Sequence, residues 1–217
     1  MEIACTDTCR YERFMRTRLP KSERRADILK KARQLFTDRG LSETEMEDIR
    51  LACGISRGGL YHHFSNKRAV LDALVEDEVF KLAETLRTTG ASPIPALLEA
   101  GSSHLGGDAG VLPALRTQAE KLDYLSSLEQ AFSTILTEAL CDRLNGSVRD
   151  GINPEHVAEL FLTINAHINR REILGRWSIQ EAAGFAATSL KALAPLMKVP
   201  TDLDPIITNL EKKASMS

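Results

Sequence analysis

Apolar residues recur at intervals of three and four along almost all of this 217-residue chain, and no stretch alternates with period two. A chain patterned this way can bury only helical stripes against one another, so the expected fold class is all-α. Ile28, Ala32, Leu35 and Phe36 make one face of a first helix that ends at Gly40, a residue suited to a helix exit with positive φ. Thr44 and Glu47 have the spacing of a capping box. They predict a short second helix with Ile49 and Ala52 inward, closed by Gly54. Ser56 can cap a third helix reaching His63, and Asn66 a fourth carrying Val70, Leu71, Leu74, Val75, Leu82 and Leu86.

Glycine and proline between Thr88 and Pro95, then four glycines between Gly101 and Gly110, interrupt the pattern. Helical segments are expected again over 112–121 and 122–144. Asn153 and Pro154 start a long helix striped by Val157, Leu160, Phe161, Ile164 and Ile168. A last helix should run from Ser178 towards Met197, with Pro200 and Pro205 ending the regular part. The expected organisation is a basic arm (1–21), a three-helix unit (22–68), a larger helical unit (69–200) and a tail (201–217).

Net charge is −2, from 28 Lys and Arg against 30 Asp and Glu. That average hides a division. Residues 1–75 carry +4 and residues 76–217 carry −6, and Arg10–Arg39 alone holds +7. Such a basic concentration is the footprint of phosphate contact, or else a solvated face on a tail. No apolar run approaches the roughly 20 residues of a membrane span, and no apolar core of a secretory signal is visible near Met1. The four cysteines (Cys5, Cys9, Cys53, Cys141) are too scattered for a disulfide framework, so a cytoplasmic setting is expected. Cys5 and Cys9 have the spacing of half a metal site. No second pair completes it, so neither metal nor cofactor is expected.

Two short helices joined by a glycine-containing turn, beside a first helix, make a helix-turn-helix candidate. In the third helix Leu60 and Phe64 can anchor to a core, leaving Arg57, Tyr61 and His62 to face a duplex. The pair Gly58-Gly59 costs about 1 kcal/mol per residue in helix propensity, which points to a steric reason for it. No nucleophile elbow, phosphate loop or zinc-protease motif is present, so no catalytic residue is expected.

The residues Ile28, Leu29, Ala32, Leu35, Phe36, Arg39 and Gly40 stand in a spacing that continues through Thr44, Ile49 and Ala52-Cys53-Gly54-Ile55-Ser56-Arg57-Gly58. Leu60, Tyr61, His63, Phe64, Asn66 and Lys67 complete it. The whole closely resembles the DNA-binding domain of the TetR family of bacterial transcriptional regulators, over about Ile28–Leu74. The resemblance implies a homodimer, usually a repressor, on a palindromic double-stranded operator. A small-molecule effector entering the C-terminal helices would move the fourth helix. By position, Thr44, Arg57, Gly58, Gly59, Tyr61, His62 and Lys67 would face DNA, with Ser56 beside them. Tyr61 and Lys67 would hold phosphates.

Three positions depart from the family pattern: Glu45, Arg50 and Arg68. Arg50 and Arg68 are candidates to take over phosphate contacts, while Glu45, Glu47 and Asp48 would repel a phosphate. The acidic start of helix two supports a second reading, a protein-binding adaptor with DNA binding secondary or lost. For an effector pocket the candidates are His104, Arg116, Tyr124, Phe132, Phe161 and Asn165. Small residues along the last helix suggest close helix packing. With the family's four-helix dimer bundle, this places Ile164, Ile168, Ala183, Ala187 and Leu190 near a dimer seam.

Overall fold

The computed structural model describes residues 20–90, 92–104, 111 and 114–216, without side chains for 99–104. The arm up to residue 19, with Cys5 and Cys9, therefore lies outside the described residues. Within them the all-α expectation holds; the single bridge pair, Val148 with Met197, is isolated.

Three helices, α1 (Lys21–Arg39), α2 (Met46–Cys53) and α3 (Arg57–His63), form the N-terminal unit. Ile28, Ala32, Phe36, Ile49, Leu60 and Phe64 are its buried centre. Gly40 leaves α1 at φ 97°, and Gly54 leaves α2 at φ 61° in the left-handed region, where a side chain is strained. The cap of α2 is one residue later than the sequence suggests. Glu45 is the N-cap and its amide donates to Asp48 Oδ2 at 2.8 Å. Thr44 is fully buried and its hydroxyl donates to the Gly40 carbonyl at 2.8 Å. Ala52, expected to face inward, is exposed.

Helix α4 (Lys67–Thr88) starts where Asn66 Oδ1 accepts the Ala69 amide at 2.8 Å. It belongs to both halves of the molecule: it packs on α1 at one side and on α5 (Pro93–His104) and α6 (Gln118–Ala131) at the other. Thr117 and Glu120 form the capping box of α6. The helical segments expected as two, over 112–121 and 122–144, are one unbroken run from Gln118. Helix α6 passes through a π turn, Phe132–Leu136, straight into α7 (Thr137–Leu144).

Helices α8 (Pro154–Ile173) and α9 (Ile179–Leu193) follow, capped by Asn153 and Ser178 as their sequences imply. The tail differs. Residues 200–203 form a 3₁₀ turn and Asp204–Ala214 a further helix, α10. Pro205 stands in its first turn, where a missing amide costs nothing, so this proline begins a helix rather than ending one. Helix α10 lies along α9 and buries Ile207.

Candidate nucleic-acid interface

Helix α3 is held by its apolar side. Leu60 and Phe64 are buried, while Arg57, Gly58, Tyr61 and His62 are exposed. Tyr61 is 43% exposed, and the Arg57 guanidinium sits 5.6 Å from its ring centre. One turn of helix separates the two residues, so the ring pre-positions the cation. The two glycines have different reasons. Ser56 Oγ accepts the Gly59 amide at 3.1 Å, and a Cβ on Gly59 would come within 3.2 Å of that oxygen. Gly59 thus keeps room for the N-cap. A Cβ on Gly58 would meet nothing within 4 Å, so nothing in the described chain requires its glycine.

Several residues read as DNA contacts are spent inside the chain. The buried side chain of Thr44 faces the core rather than the outside. Lys67 Nζ donates to the carbonyls of Thr44 at 2.8 Å and Ser42 at 3.2 Å, gripping the α1–α2 turn. Arg50 Nε donates to both oxygens of Glu47 at 2.9 Å, and another of its nitrogens donates to the Ile55 carbonyl at 2.9 Å. It ties α2 to the turn before α3. Arg68 points towards the C-terminal helices: it meets Asp72 at 2.7 Å, Asp123 at 2.6 Å and Ser127 Oγ at 3.2 Å.

The acids of α2 are partly neutralised by the same contacts. The Arg50 hydrogen bond holds the Glu47 carboxyl below its usual range. Asp48 accepts from the Glu45 amide and, at 3.4 Å, from Arg39. Positive charge comes instead from the start of α1, beside the end of α3. The Arg25 guanidinium lies 4.6 Å over the Phe64 ring. Burial lowers the pKa of His63, and the charges of His62, Lys21, Arg25 and Arg24 add to that shift. Arg25 and the exposed Lys21 thus add positive charge beside the end of α3, while Arg24 is half-buried and pairs with Asp27 at 3.5 Å. The signal for them was the basic run itself, which does not say which of its residues the fold brings to α3.

A second set of contacts joins this unit to the rest of the chain. Arg33 on α1 pairs with Glu78 on α4, and lies 3.7 Å from Asp77. Glu78 is 3% exposed and burial pushes its carboxyl up to about 7, against the opposing pull of Arg33. Glu120 at the start of α6 accepts from Ser42 in the α1–α2 turn through both amide and hydroxyl, each at 2.6 Å. The Arg116 guanidinium lies against Gly40, 3.1 Å from where a Cβ would stand. Arg116 is therefore exposed at this joint rather than inside a pocket.

Among the described residues, only Phe161 and Asn165 of the other effector candidates border a common gap. Tyr124, Phe132 and Phe161 are buried in the core. Burial also raises the Tyr124 hydroxyl pKa. Asn165 donates to the Phe161 carbonyl at 3.0 Å and borders a gap of only about 10 Å³ between α5, α8 and α9. The His104 side chain lies outside the described residues. A larger cavity of about 210 Å³ opens between the start of α5, the α7–α8 turn and the connection to α10. None of the sequence candidates lines it; Ile94, Met197, Val199 and Leu203 do.

Three of the residues expected at a dimer seam lie inside the single chain. Ala183, Ala187 and Leu190 are buried within the single chain, where α9 packs on α8 and α10. The Cα of Gly184 faces α10, and a Cβ there would stand 3.6 Å from Ala214 Cβ. Ile164 and Ile168 are half-buried beside Asn165. Leu160, Ile179 and Phe185 are exposed on α8 and α9, and the rings of Phe185, half-buried Trp177 and His167 lie 5.1–5.6 Å from one another. Among the described residues no group of acidic, His and Cys side chains could hold a metal ion, and no helix is long and apolar enough to cross a membrane.

A short capped helix with an exposed polar face, braced by two others and flanked by cations, is the reading head of a helix-turn-helix regulator. Residues 28–74 match the description "Bacterial regulatory proteins, tetR family". Residues 28–74 thus carry the DNA-binding domain of that family of transcriptional regulators, whose members bind DNA operators and small-molecule effectors.

Among curated proteins, the repressor KstR2 of Rhodococcus jostii is 29% identical over 143 residues, 60% of this chain and 68% of the relative. The activator FasR of Mycolicibacterium smegmatis is 41% identical over 76 residues, 33% and 35% of the two chains. The FasR match therefore spans only about a third of that relative's length. Among solved structures, Salmonella enterica GusR aligns with a TM-score of 0.54 at 23% identity, over 83% of this chain and 98% of its own. Thermus thermophilus FadR, solved with lauroyl-CoA, aligns with a TM-score of 0.53 at 21% identity, over 78% and 92%. At these identities the two structures establish the fold.

Proposed function

We propose that this chain is a repressor that binds a palindromic operator as a homodimer and releases it when a small molecule enters its C-terminal helices in the cytoplasm. The observation that carries the reading is α3. Arg57, Tyr61 and His62 face outward from a helix anchored by Leu60 and Phe64, with Lys21 and Arg25 at its end. Arg57 is placed for a guanine edge, Tyr61 for a phosphate, and Gly58 for close backbone approach.

The adaptor reading loses much of its support here. Glu47 and Asp48, which would repel DNA, are occupied by Arg50, Arg39 and the Glu45 amide.

A duplex selected by the wild-type protein from a random-sequence pool provides the probe, read by fluorescence polarisation. The expected result is sequence-specific binding that weakens linearly in log salt. Arg57→Ala should cost on the order of 1–3 kcal/mol and relax discrimination at one position per half-site. Failure of the wild type to enrich any sequence would overturn the reading.

A further inference from the structure

Three features of the joint between the two halves coincide at one carboxylate. Glu120 is the third residue of α6. Its Oε2 does the ordinary work of a capping box, accepting the amides of Thr117 and Arg116 at 2.7 Å each. In an exposed helix the other oxygen would face water. Here Oε1 reaches a turn 78 residues earlier in the chain and accepts both the amide and the hydroxyl of Ser42. One carboxylate thus satisfies four donors, two in each half of the molecule. It is 5% exposed. Burial works to raise its pKa, but the hydrogen bonds from Ser42, Thr117 and Arg116 outweigh it and bring it to about 2.

The turn that Glu120 holds is gripped from the other side too. The Ser42 amide goes to Glu120, while the Ser42 carbonyl accepts from Lys67 at the start of α4. The next residue but one, Thr44, gives its carbonyl to the same lysine and its hydroxyl to Gly40. This turn precedes α2 directly, and α2 is tied to the turn before α3 through Arg50.

Further along α6, Asp123 and Ser127 meet Arg68. Residues 120, 123 and 127 share one helical face; Glu120 and Ser127 are buried there, while Asp123 stays exposed beside Arg68.

We infer that Glu120 is a positioning residue for DNA recognition: from α6 it holds the α1–α2 turn and sets the tilt of α3, so that displacement of α6 reaches the operator through this carboxylate. The inference rests on the DNA-binding reading of α3 and adds a route through α6 to the movement of α4 that the family resemblance implies.

The test uses the full chain and the duplex selected by the wild type, so a wild type that selects nothing defeats the DNA reading and not this one. Glu120→Ala and Ser42→Ala are compared with wild type for Kd of the folded fraction, salt slope and amide exchange. Glu120→Ala should bind roughly tenfold more weakly. The salt slope should be unchanged, because no phosphate contact is lost. Exchange should quicken at residues 40–44 while α8 and α9 stay protected. Ser42→Ala, which keeps the backbone donor, should fall between the two. A Glu120→Ala protein that melts earlier but binds with wild-type Kd in its folded fraction would show a structural role only and overturn the inference. A steeper salt slope would overturn it as well, by making the Glu120 charge part of the phosphate electrostatics.

Discussion

At the scale of single residues, adjacent glycines in α3 separate two demands that a sequence presents as one. Gly59 answers to its own chain, since a Cβ would crowd the Ser56 oxygen that caps the helix. Gly58 has open space around it among the described residues, which leaves room for something to dock on α3. Gly58→Ala should therefore stabilise the free protein by up to about 1 kcal/mol through helix propensity. It should weaken binding to the selected duplex in the same preparation. Thermal melting and polarisation on one sample decide it, and an alanine variant that binds as tightly as wild type would remove Gly58 from the interface. Thr44 and Lys67 show the opposite case. Their positions resemble DNA contacts, but burial and the carbonyls of the α1–α2 turn claim them first.

Among the elements, most of those governed by local chemistry were legible from sequence, the one-residue shift of the α2 cap apart, and those governed by distant contacts were not. Ser56, Asn66, Asn153 and Ser178 cap the helices that follow them because a cap needs only an oxygen and the next few amides. The basic run and the anchors Leu60 and Phe64 were equally readable. The grip of Glu120 on Ser42 was not, because it joins residues 78 apart in a way no periodicity records. Nor was α10. Pro200 before it and Pro205 within it read as terminators, and its apolar residues find a place on α9, whose small side chains make room. Gly184 sits in that contact. A Cβ there would stand at an ordinary 3.6 Å from Ala214, so Gly184→Ala should be neutral or stabilising by up to about 1 kcal/mol. Gly184→Leu, by contrast, should wedge α10 away and lower the melting temperature. Equal melting of the leucine variant and wild type would mean that the α9–α10 contact contributes little.

At the scale of the whole molecule, the proposed homodimer is constrained by the covering of α9 by α10. Ala183, Ala187 and Leu190 are already buried, so a partner must use the face that α10 leaves open. That face carries Phe185 at 39% and Leu160 at 45% exposure, with Trp177 stacked 5.1 Å from the Phe185 ring and His167 against both. In a two-fold dimer each such residue appears twice in one interface. Phe185→Glu would then place two carboxylates in an apolar seam, at a cost of several kcal/mol in desolvation and repulsion. The residue is partly exposed and outside the main core, so the monomer should keep its helicity. Light scattering at micromolar concentration should show a dimer for wild type and a monomer for the variant. Operator binding should collapse with it, because two reading heads about one DNA turn apart act together only when the dimer holds them. A Phe185→Glu protein that remains dimeric would place the seam elsewhere, with Ile164 and Ile168 on α8 the next residues to change.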